Sequence, residues 1–254
     1  SGLSRDHDMK FVWTTFVGDG GCCIQSLRSV LALGVAPSDC VIGEQVGKEL
    51  RVSDRQSIES LGARVVPSRY TRKDNYSDII ARLGLLYLHA DDWVFNLDSD
   101  TVLLNLKEIK EAMTTKAVAM AAGTTSARFA GTASLYRKAA LKVILDDLRW
   151  SNSLNLPSSN IADDAAAGKL LDHHFGSDRV IRKSSGYLKM WRYALDDEPL
   201  GSLAGNYTAV TFGQKKEARQ LARGLPVRAI VAQTMGSLLD LRESNESECY
   251  RDIS

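Results

Sequence analysis

Along the first hundred residues the apolar positions switch back and forth between two periods. Residues 10–17 are rich in β-branched and aromatic side chains and close on Gly18-Asp19-Gly20-Gly21, which predicts a strand ending in a turn. Ile24, Leu27, Val30 and Leu31 then recur at helical spacing. Residues 40–42 predict a short buried strand, and Ser53 followed by Gln56 has the form of a capping box opening a helix that stops near Gly62. Residues 64–66 predict a third strand. Ile79, Ile80, Leu83, Leu86 and Tyr87 predict an amphipathic helix, and residues 93–97 a fourth strand leading straight into Asp98. Strand and helix thus alternate, as in βαβ units around a mostly parallel sheet flanked by helices. Such sheets bind ligands beyond the carboxyl ends of their strands, which is where Asp98 falls. Past residue 105 the regularity decays. A strand pair is expected across 117–121 and 129–135, a helix over 138–148, and a Ser-, Asn- and Pro-rich loop over 151–159.

Composition narrows this picture without changing it. The chain has 254 residues, 44% hydrophobic and 25% charged, enough for one sizeable α/β core. With 32 basic against 31 acidic residues the net charge is +1, which lacks the basic excess that non-specific grip on nucleic acid requires. Cys22, Cys23, Cys40 and Cys249 show no C-x-x-C metal spacing. Together with the absence of a signal segment, they predict a cytoplasmic protein with reduced thiols. No apolar run approaches the length of a membrane span, so no span is expected. Residues 1–8 read as a tag remnant ahead of a native start at Met9.

The chemistry begins at Asp98-Ser99-Asp100. Two carboxylates at the end of a buried strand are costly unless something offsets their charge, and a divalent cation with hard oxygen ligands, Mg²⁺ or Mn²⁺, does so well. A solvated strand-end turn accounts for the same residue types. The frame around the motif favours the cation. Asp163 and Asp164 form a second acidic pair at the start of a predicted helix, where capping competes with acid–base work.

These segments together resemble a family. Ala81-Arg82-Leu83-Gly84-Leu85, followed by Ala90-Asp91-Asp92-Trp93-Val94-Phe95-Asn96-Leu97-Asp98-Ser99-Asp100-Thr101, resembles the central signature of GT-A-fold glycosyltransferases. The opening strand and helix, the Gly-containing stretch Phe129-Ala130-Gly131-Thr132-Ala133-Ser134-Leu135-Tyr136-Arg137, and Ala162-Asp163-Asp164-Ala165-Ala166-Ala167-Gly168-Lys169-Leu170-Leu171 are similar to further motifs of its inverting members. The likeness runs over residues 10–175. It departs at Asp163, Lys169 and Leu83, where the family more often carries Glu, Arg and Asn.

The resemblance implies a GT-A-like (Rossmann-like) sheet, with residues 9–105 as the nucleotide-sugar-binding half and 106–254 as the acceptor-binding, catalytic half of one domain. It implies transfer from a nucleotide-diphosphate sugar, a UDP-sugar favoured, to a glycan, lipid, protein or modified nucleic-acid base. Asp98 and Asp100 would hold the metal, with His174 or His173 as a further ligand. Asp164 would be the general base of an inverting reaction, with Asp163 its rival. Thr14, Thr15, Glu44, Arg82, Asp98, Ser99 and Gly131 would meet the nucleotide sugar. Helix-end placement is the plain alternative for the histidine pair.

Farther on, Arg179, Arg182, Lys183, Lys189 and Arg192 mingle with Tyr187, Trp191 and Tyr193. They suit either a lid over a diphosphate or an ordinary surface. Lys215, Lys216, Arg219 and Arg223 are expected on a helix.

Other readings fit parts of the pattern. Asp98-Ser99-Asp100-Thr101-Val102-Leu103 is similar to the opening motif of haloacid-dehalogenase-like phosphatases, with Asp98 as nucleophile and Mg²⁺ alongside. That motif normally opens the chain, whereas several strand–helix units precede it here. A P-loop is excluded by the lack of Gly-Lys before Ser or Thr, and Gly18-Asp19-Gly20-Gly21 lacks the basic residues of a sugar nucleotidyltransferase loop. A non-catalytic nucleotide-sugar-binding module would keep donor binding without turnover.

Overall fold

The alternating apolar pattern is realised as a sheet with a different core on each face. In the computed structural model, residues 9–73, 75–123, 129–184, 186–191, 198–212 and 227–251 are described. Strands β1 (Met9–Thr15), β2 (Cys40–Gln45), β3 (Arg64–Ser68) and β4 (Trp93–Asp98) run parallel. β6 (Ala119–Ala122), β7 (Ser134–Arg137) and β8 (Val180–Lys183) complete seven strands in the order β3-β2-β1-β4-β7-β6-β8, with β7 antiparallel to both neighbours. A smaller sheet joins β5 (Thr101–Leu103), β10 (Ala209–Thr211) and β9 (Leu188–Met190) in that order.

Successive strand residues point to opposite faces, and each face has its own cover. Phe11, Trp13, Ile42 and Phe95 pack under α1 (Gly20–Leu31) through Leu27 and Val30, and under α2 (Val52–Ser60) through Ile58. Val12, Val41 and Val94 pack on the other side against α3 (Tyr76–His89), α5 (Lys138–Asp146) and α6 (Asp163–Phe175), through residues such as Leu83, Leu86, Leu141 and Leu171. Each fully buried side chain of this size contributes about 1.5–3 kcal/mol. α4 (Lys107–Met113) adds Ile109 to the first core, while α7 (Leu200–Asn206) and α8 (Val227–Arg251) cover the small sheet with Leu203, Met235 and Leu238. The main sheet takes strands from both expected halves of the chain.

Order and direction matter more than length here. The chain builds β1, β2 and β3 outward, then returns to lay β4 on the free side of β1. The crevice beyond the carboxyl ends of β1 and β4 is therefore a topological switch point, the place where open α/β sheets receive ligands.

Several expected boundaries shift. The capping box at Ser53 and Gln56 does not form. α2 starts at Val52 behind Arg51, with no side-chain cap, so Ser53 already lies within the helix. The capped helix is α3, where Asn75 accepts from the Asp78 N–H at 2.9 Å. Asp78 in turn accepts from the Thr71 N–H and hydroxyl and the Lys73 N–H, tying down the loop that carries Arg72. α5 ends at Asp146, and a π-helical turn, Asp147–Ser151, replaces the expected final helical residues before Asn152 reverses the chain at φ 42°. Cys22, Cys23 and Cys40 are free and buried. Burial pushes the Cys22 thiol up to about 11 and the Cys40 thiol to about 12, so both are poor nucleophiles. Among the described residues no helix is long and apolar enough to cross a membrane.

α3 approaches the sheet closely at Gly43 of β2, where a Cβ would sit 2.5 Å from Leu85 Cδ2 and 3.1 Å from the Trp13 carbonyl oxygen. Gly43→Ala is expected to cost about 1–3 kcal/mol through overpacking. The check is a urea midpoint lowered at unchanged slope; a wild-type midpoint would mean that α3 stands farther from β2.

Candidate functional site

Register brings the acidic tip to the switch point: Thr14 of β1 is paired with Asp98, the last residue of β4. The Asp98 N–H donates to Thr132 Oγ1 at 2.9 Å, which fixes the strand end. The chain then turns through Ser99 into Asp100 before β5 begins. Ser99 donates to Asp19 Oδ2 at 2.9 Å, and the Asp100 carbonyl accepts from the Phe212 N–H at 2.9 Å, just past β10. Arg228, near the start of α8, reaches Asp19 at 3.0 Å and Asp100 at 3.2 Å. Burial, and then the charge of Asp98, raises the Asp100 carboxyl above the ordinary range, while Arg228 and Arg72 pull it back.

Arg82 of α3 holds the other side together. Its guanidinium is buried, 2.9 Å from Asp98 and 2.6 Å from Asp163, and it also donates to the Gly131 carbonyl at 3.1 Å and the Tyr70 hydroxyl at 3.4 Å. Burial works against the Arg82 charge, and Asp163 and Asp98 more than restore it. Burial likewise opposes the Asp163 anion, yet Arg82 brings its carboxyl below the ordinary value.

Asp164, the next residue on α6, has no ion pair of this kind among the described residues. Its Oδ1 accepts from the Ala165 N–H at 2.7 Å, and burial followed by the Asp163 charge raises its carboxyl. Gly131 faces both groups: a Cβ there would lie 3.1 Å from Arg82 and 3.2 Å from the Asp164 Cβ, so glycine lets the three segments close. Two residues on, Ala133 adopts φ 50°, a left-handed conformation uncommon for alanine, and the buried Tyr187 hydroxyl donates to its carbonyl at 2.7 Å.

Of the residues expected here, Asp98, Asp100, Arg82, Gly131, Asp163 and Asp164 come together beside the crevice at the carboxyl ends of β1 and β4, with Ser99 among them but fully buried against Asp19. Thr14 and Thr15 lie beneath the crevice. Both are about 1% exposed, Thr15 donates to the Gly43 carbonyl at 3.2 Å, and the Thr14 hydroxyl has no partner among the described residues, so neither offers a ready face to a ligand. Glu44 is buried at the end of β2, 3.4 Å from Arg55.

The histidines require a correction. His173 and His174 are at the far end of α6 from Asp164, about 15 Å along the helix axis at 1.5 Å per residue. His174 Nε2 lies 2.5 Å from Asp147 Oδ2. It is the start of α6 that is tied to Asp98 through Arg82, while the histidines at its end group with Asp147.

The basic and aromatic stretch is largely structural. Arg182 pairs with Asp172 at 2.6 Å, Lys183 with Glu108 at 2.7 Å and Lys189 with Glu198 at 2.8 Å, while Arg179 donates to the Lys116 carbonyl at 3.1 Å. Trp191 packs on Phe212 with ring centroids 5.5 Å apart. Arg192, Tyr193, Lys215, Lys216, Arg219 and Arg223 lie outside the described residues.

Sequence reasoning missed Asp19, Tyr70, Arg72, Thr132 and Arg228. Asp19 follows β1 as Asp98 ends β4, and the switch-point rule applied to both strands would have found it. Arg228 carries no local signal, because a contact across 128 residues leaves no periodicity.

The acidic tip suits a hard cation. Asp98 and Asp100 offer carboxylate oxygens, Asp19 adds a third negative charge to the field at Asp100, and Arg228 is the cation found on Asp100. Mg²⁺ and Mn²⁺ are commonly held by one or two carboxylates, with substrate phosphates completing the shell.

No family model matches the sequence, and no curated protein matches it. Solved structures do. The galactosyltransferase LgtC, in complex with donor and acceptor sugar analogues, is 13% identical with a TM-score of 0.50, over 90% of this chain and 96% of that one. An active-site mutant of LgtC gives 12% identity and a TM-score of 0.52 over the same shares. The bifunctional glycosyltransferase WbbM, in its apo form, gives 10% identity and a TM-score of 0.54, over 92% of this chain and 53% of that one. The fold is the GT-A fold of these glycosyltransferases. The haloacid-dehalogenase reading falls with it, since Asp98 closes the fourth strand of this sheet rather than the first.

The electrostatics of Arg82 set a pH test. A carboxyl whose folded pKa is depressed stabilises the fold fully above its unfolded value, about 3.9, and loses that contribution as pH falls through the lower folded value. Asp163→Asn is therefore expected to flatten the acid side of the stability–pH curve. It should also cost about 3–5 kcal/mol near neutrality, because Arg82 loses one of its two anionic partners in a buried site. Denaturant titrations from pH 7 to 3 check both, and an unchanged acid slope would show that Arg82 does not hold Asp163 ionised.

Proposed function

We propose that this chain is a metal-dependent glycosyltransferase that moves a sugar from a nucleotide-diphosphate sugar to an acceptor hydroxyl. The observation that carries the reading is the convergence of Asp98, Asp100, Arg82 and Asp164 on the switch-point crevice of a GT-A fold. Asp98 and Asp100 would hold Mn²⁺ or Mg²⁺, which when bound supplies positive charge to the departing diphosphate. Gly131 would border the space for the donor sugar, and Ser99, buried against Asp19, would hold the turn between the two aspartates. Arg82 positions Asp98 and the start of α6.

Asp164 is the group best fitted to serve as general base. Asp163 is committed to Arg82, whereas Asp164 is partly exposed and its carboxyl is shifted upward, toward the pH at which it would work. In that role Asp164 accepts the proton of the acceptor hydroxyl while the acceptor oxygen bonds to the anomeric carbon. The bond from that carbon to the diphosphate oxygen breaks, and the nucleoside diphosphate leaves with the electron pair. Attack from the face opposite the leaving group inverts the configuration. A UDP-sugar is the favoured donor, and a sugar hydroxyl the acceptor suggested by the analogues bound to LgtC.

Asp100→Ala is expected to abolish transfer and to remove the Mn²⁺-dependent thermal stabilisation by the donor. A panel of UDP-, GDP-, ADP- and CMP-sugars identifies the base, because a ligand of the folded state raises the melting temperature by mass action. Full transfer by Asp100→Ala would sink the reading. A donor-dependent thermal shift without any turnover would mark a binding module instead.

Asp164→Asn should keep the donor shift but lower kcat by about 10²- to 10⁴-fold. It should also erase an acidic limb of the pH–rate profile lying above the ordinary aspartate range. Equal loss of binding and turnover would reassign Asp164 to structure, and retention of anomeric configuration in the product would rule out its role as base.

A further inference from the structure

We propose that Asp147, His173 and His174 form a second cation site, of zinc type, at the end of α6 remote from the crevice. Among the described residues these three are the group of metal-type donors that comes together, with ligand atoms all within 4.8 Å of one another. The inference rests on their geometry alone and stands whether or not the chain transfers sugars.

Donor chemistry separates this site from the acidic tip. Two imidazoles and one carboxylate are the borderline set that holds Zn²⁺ in three-ligand sites with a fourth position open, whereas Asp98 and Asp100 offer only hard oxygens. The fold presents the set from two directions. The π-helical turn after α5 carries Asp147, and such turns are often found at functional sites. The last turn of α6 carries both histidines, where the carbonyl end of the helix dipole favours a cation.

The carboxylate is also oriented. Asp147 is 3% exposed at its side chain and accepts from the Ser153 N–H at 2.8 Å and from the Ser153 hydroxyl. Outer-shell hydrogen bonds of this kind fix the ligands of metal sites.

Little has to move for an ion to bind. His174 Nε2 already touches Asp147 Oδ2 at 2.5 Å, a contact that a shared ion would replace. The His173 ring stands edge-on to His174, with centroids 4.8 Å apart at 75°, and its residue is exposed, so a side-chain rotation brings its nitrogen inward. A bound ion would tie the end of α5 to the end of α6, and α6 carries Asp163 and Asp164 at its other end. The site would thus be a staple on the helix that bears the candidate base.

The test uses Zn²⁺ alone and the full chain, in the Asp100→Ala background so that the acidic tip contributes no ion. Calorimetric titration is expected to show one equivalent of Zn²⁺ bound. Adding His173→Ala should abolish it, and adding Ser153→Ala should weaken it by about 10- to 100-fold. Far-ultraviolet circular dichroism confirms folding, and His173→Ala, an exposed change, should leave the spectrum intact. As a second readout, Zn²⁺ should shift the imidazole nuclear magnetic resonances of both His173 and His174. The same stoichiometry and affinity with and without His173, or imidazole signals indifferent to Zn²⁺, would overturn the proposal.

Discussion

The candidate site depends on one buried cation. Arg82 lies between Asp98, which ends a strand, and Asp163, which opens a helix 65 residues later in the chain, and it bonds the Gly131 carbonyl between them. Taking a guanidinium and two carboxylates out of water costs several kcal/mol per ion, and mutual attraction offsets this only when geometry and hydrogen bonding are both good. That condition constrains the neighbourhood. α3 must sit close to the sheet, the 131 position must lack a side chain, and α6 must begin where its first carboxylate meets α3. In this arrangement Asp163 is the neutralising partner, and its neighbour Asp164 is left with a raised affinity for protons.

The two sides of the crevice balance charge in opposite ways. On the α3 side a deeply buried arginine, 8% exposed, serves two carboxylates. On the β1 side Asp19, Ser99 and Asp100 are themselves buried, but their cation Arg228, arriving from the last described helix, is 36% exposed at its side chain. A deeply buried pair is a fixed part of the frame, whereas a half-exposed arginine on a surface helix is readily displaced by a competing cation. Structural rigidity and ligand exchange are thus divided between the two walls.

Much of the frame was legible in the sequence. The two-residue alternation of Phe11, Val12 and Trp13 and the helical spacing of Leu83 and Leu86 each encode burial on a definite face, and burial is the force that decides element type. The acidic tip was legible for the same reason, because a charge directly after an apolar strand has few inexpensive explanations. Helix starts were less so. Ser53 and Gln56 satisfied a capping rule that tertiary packing overrode at Val52, while the working cap at Asn75 lay in a polar stretch with no apolar marker. The placement of His173 and His174 was misjudged because order along a motif carries no information on helix length, and ten residues of helix separate what sequence makes adjacent. Arg228 and Tyr187 act through contacts 128 and 54 residues away, which no local window registers.

Ala133 is held in a left-handed backbone conformation at the floor of the site, and Tyr187 is the clasp that keeps it there. A conformation that an L-residue avoids by about 1–2 kcal/mol is retained only where its surroundings over-determine it. The loop before β7 and the residue that leads into β9 are thus joined by this hydrogen bond. Any evolutionary change that loosens Tyr187 would reach beyond the small sheet beside it to Gly131, two residues from the alanine it holds.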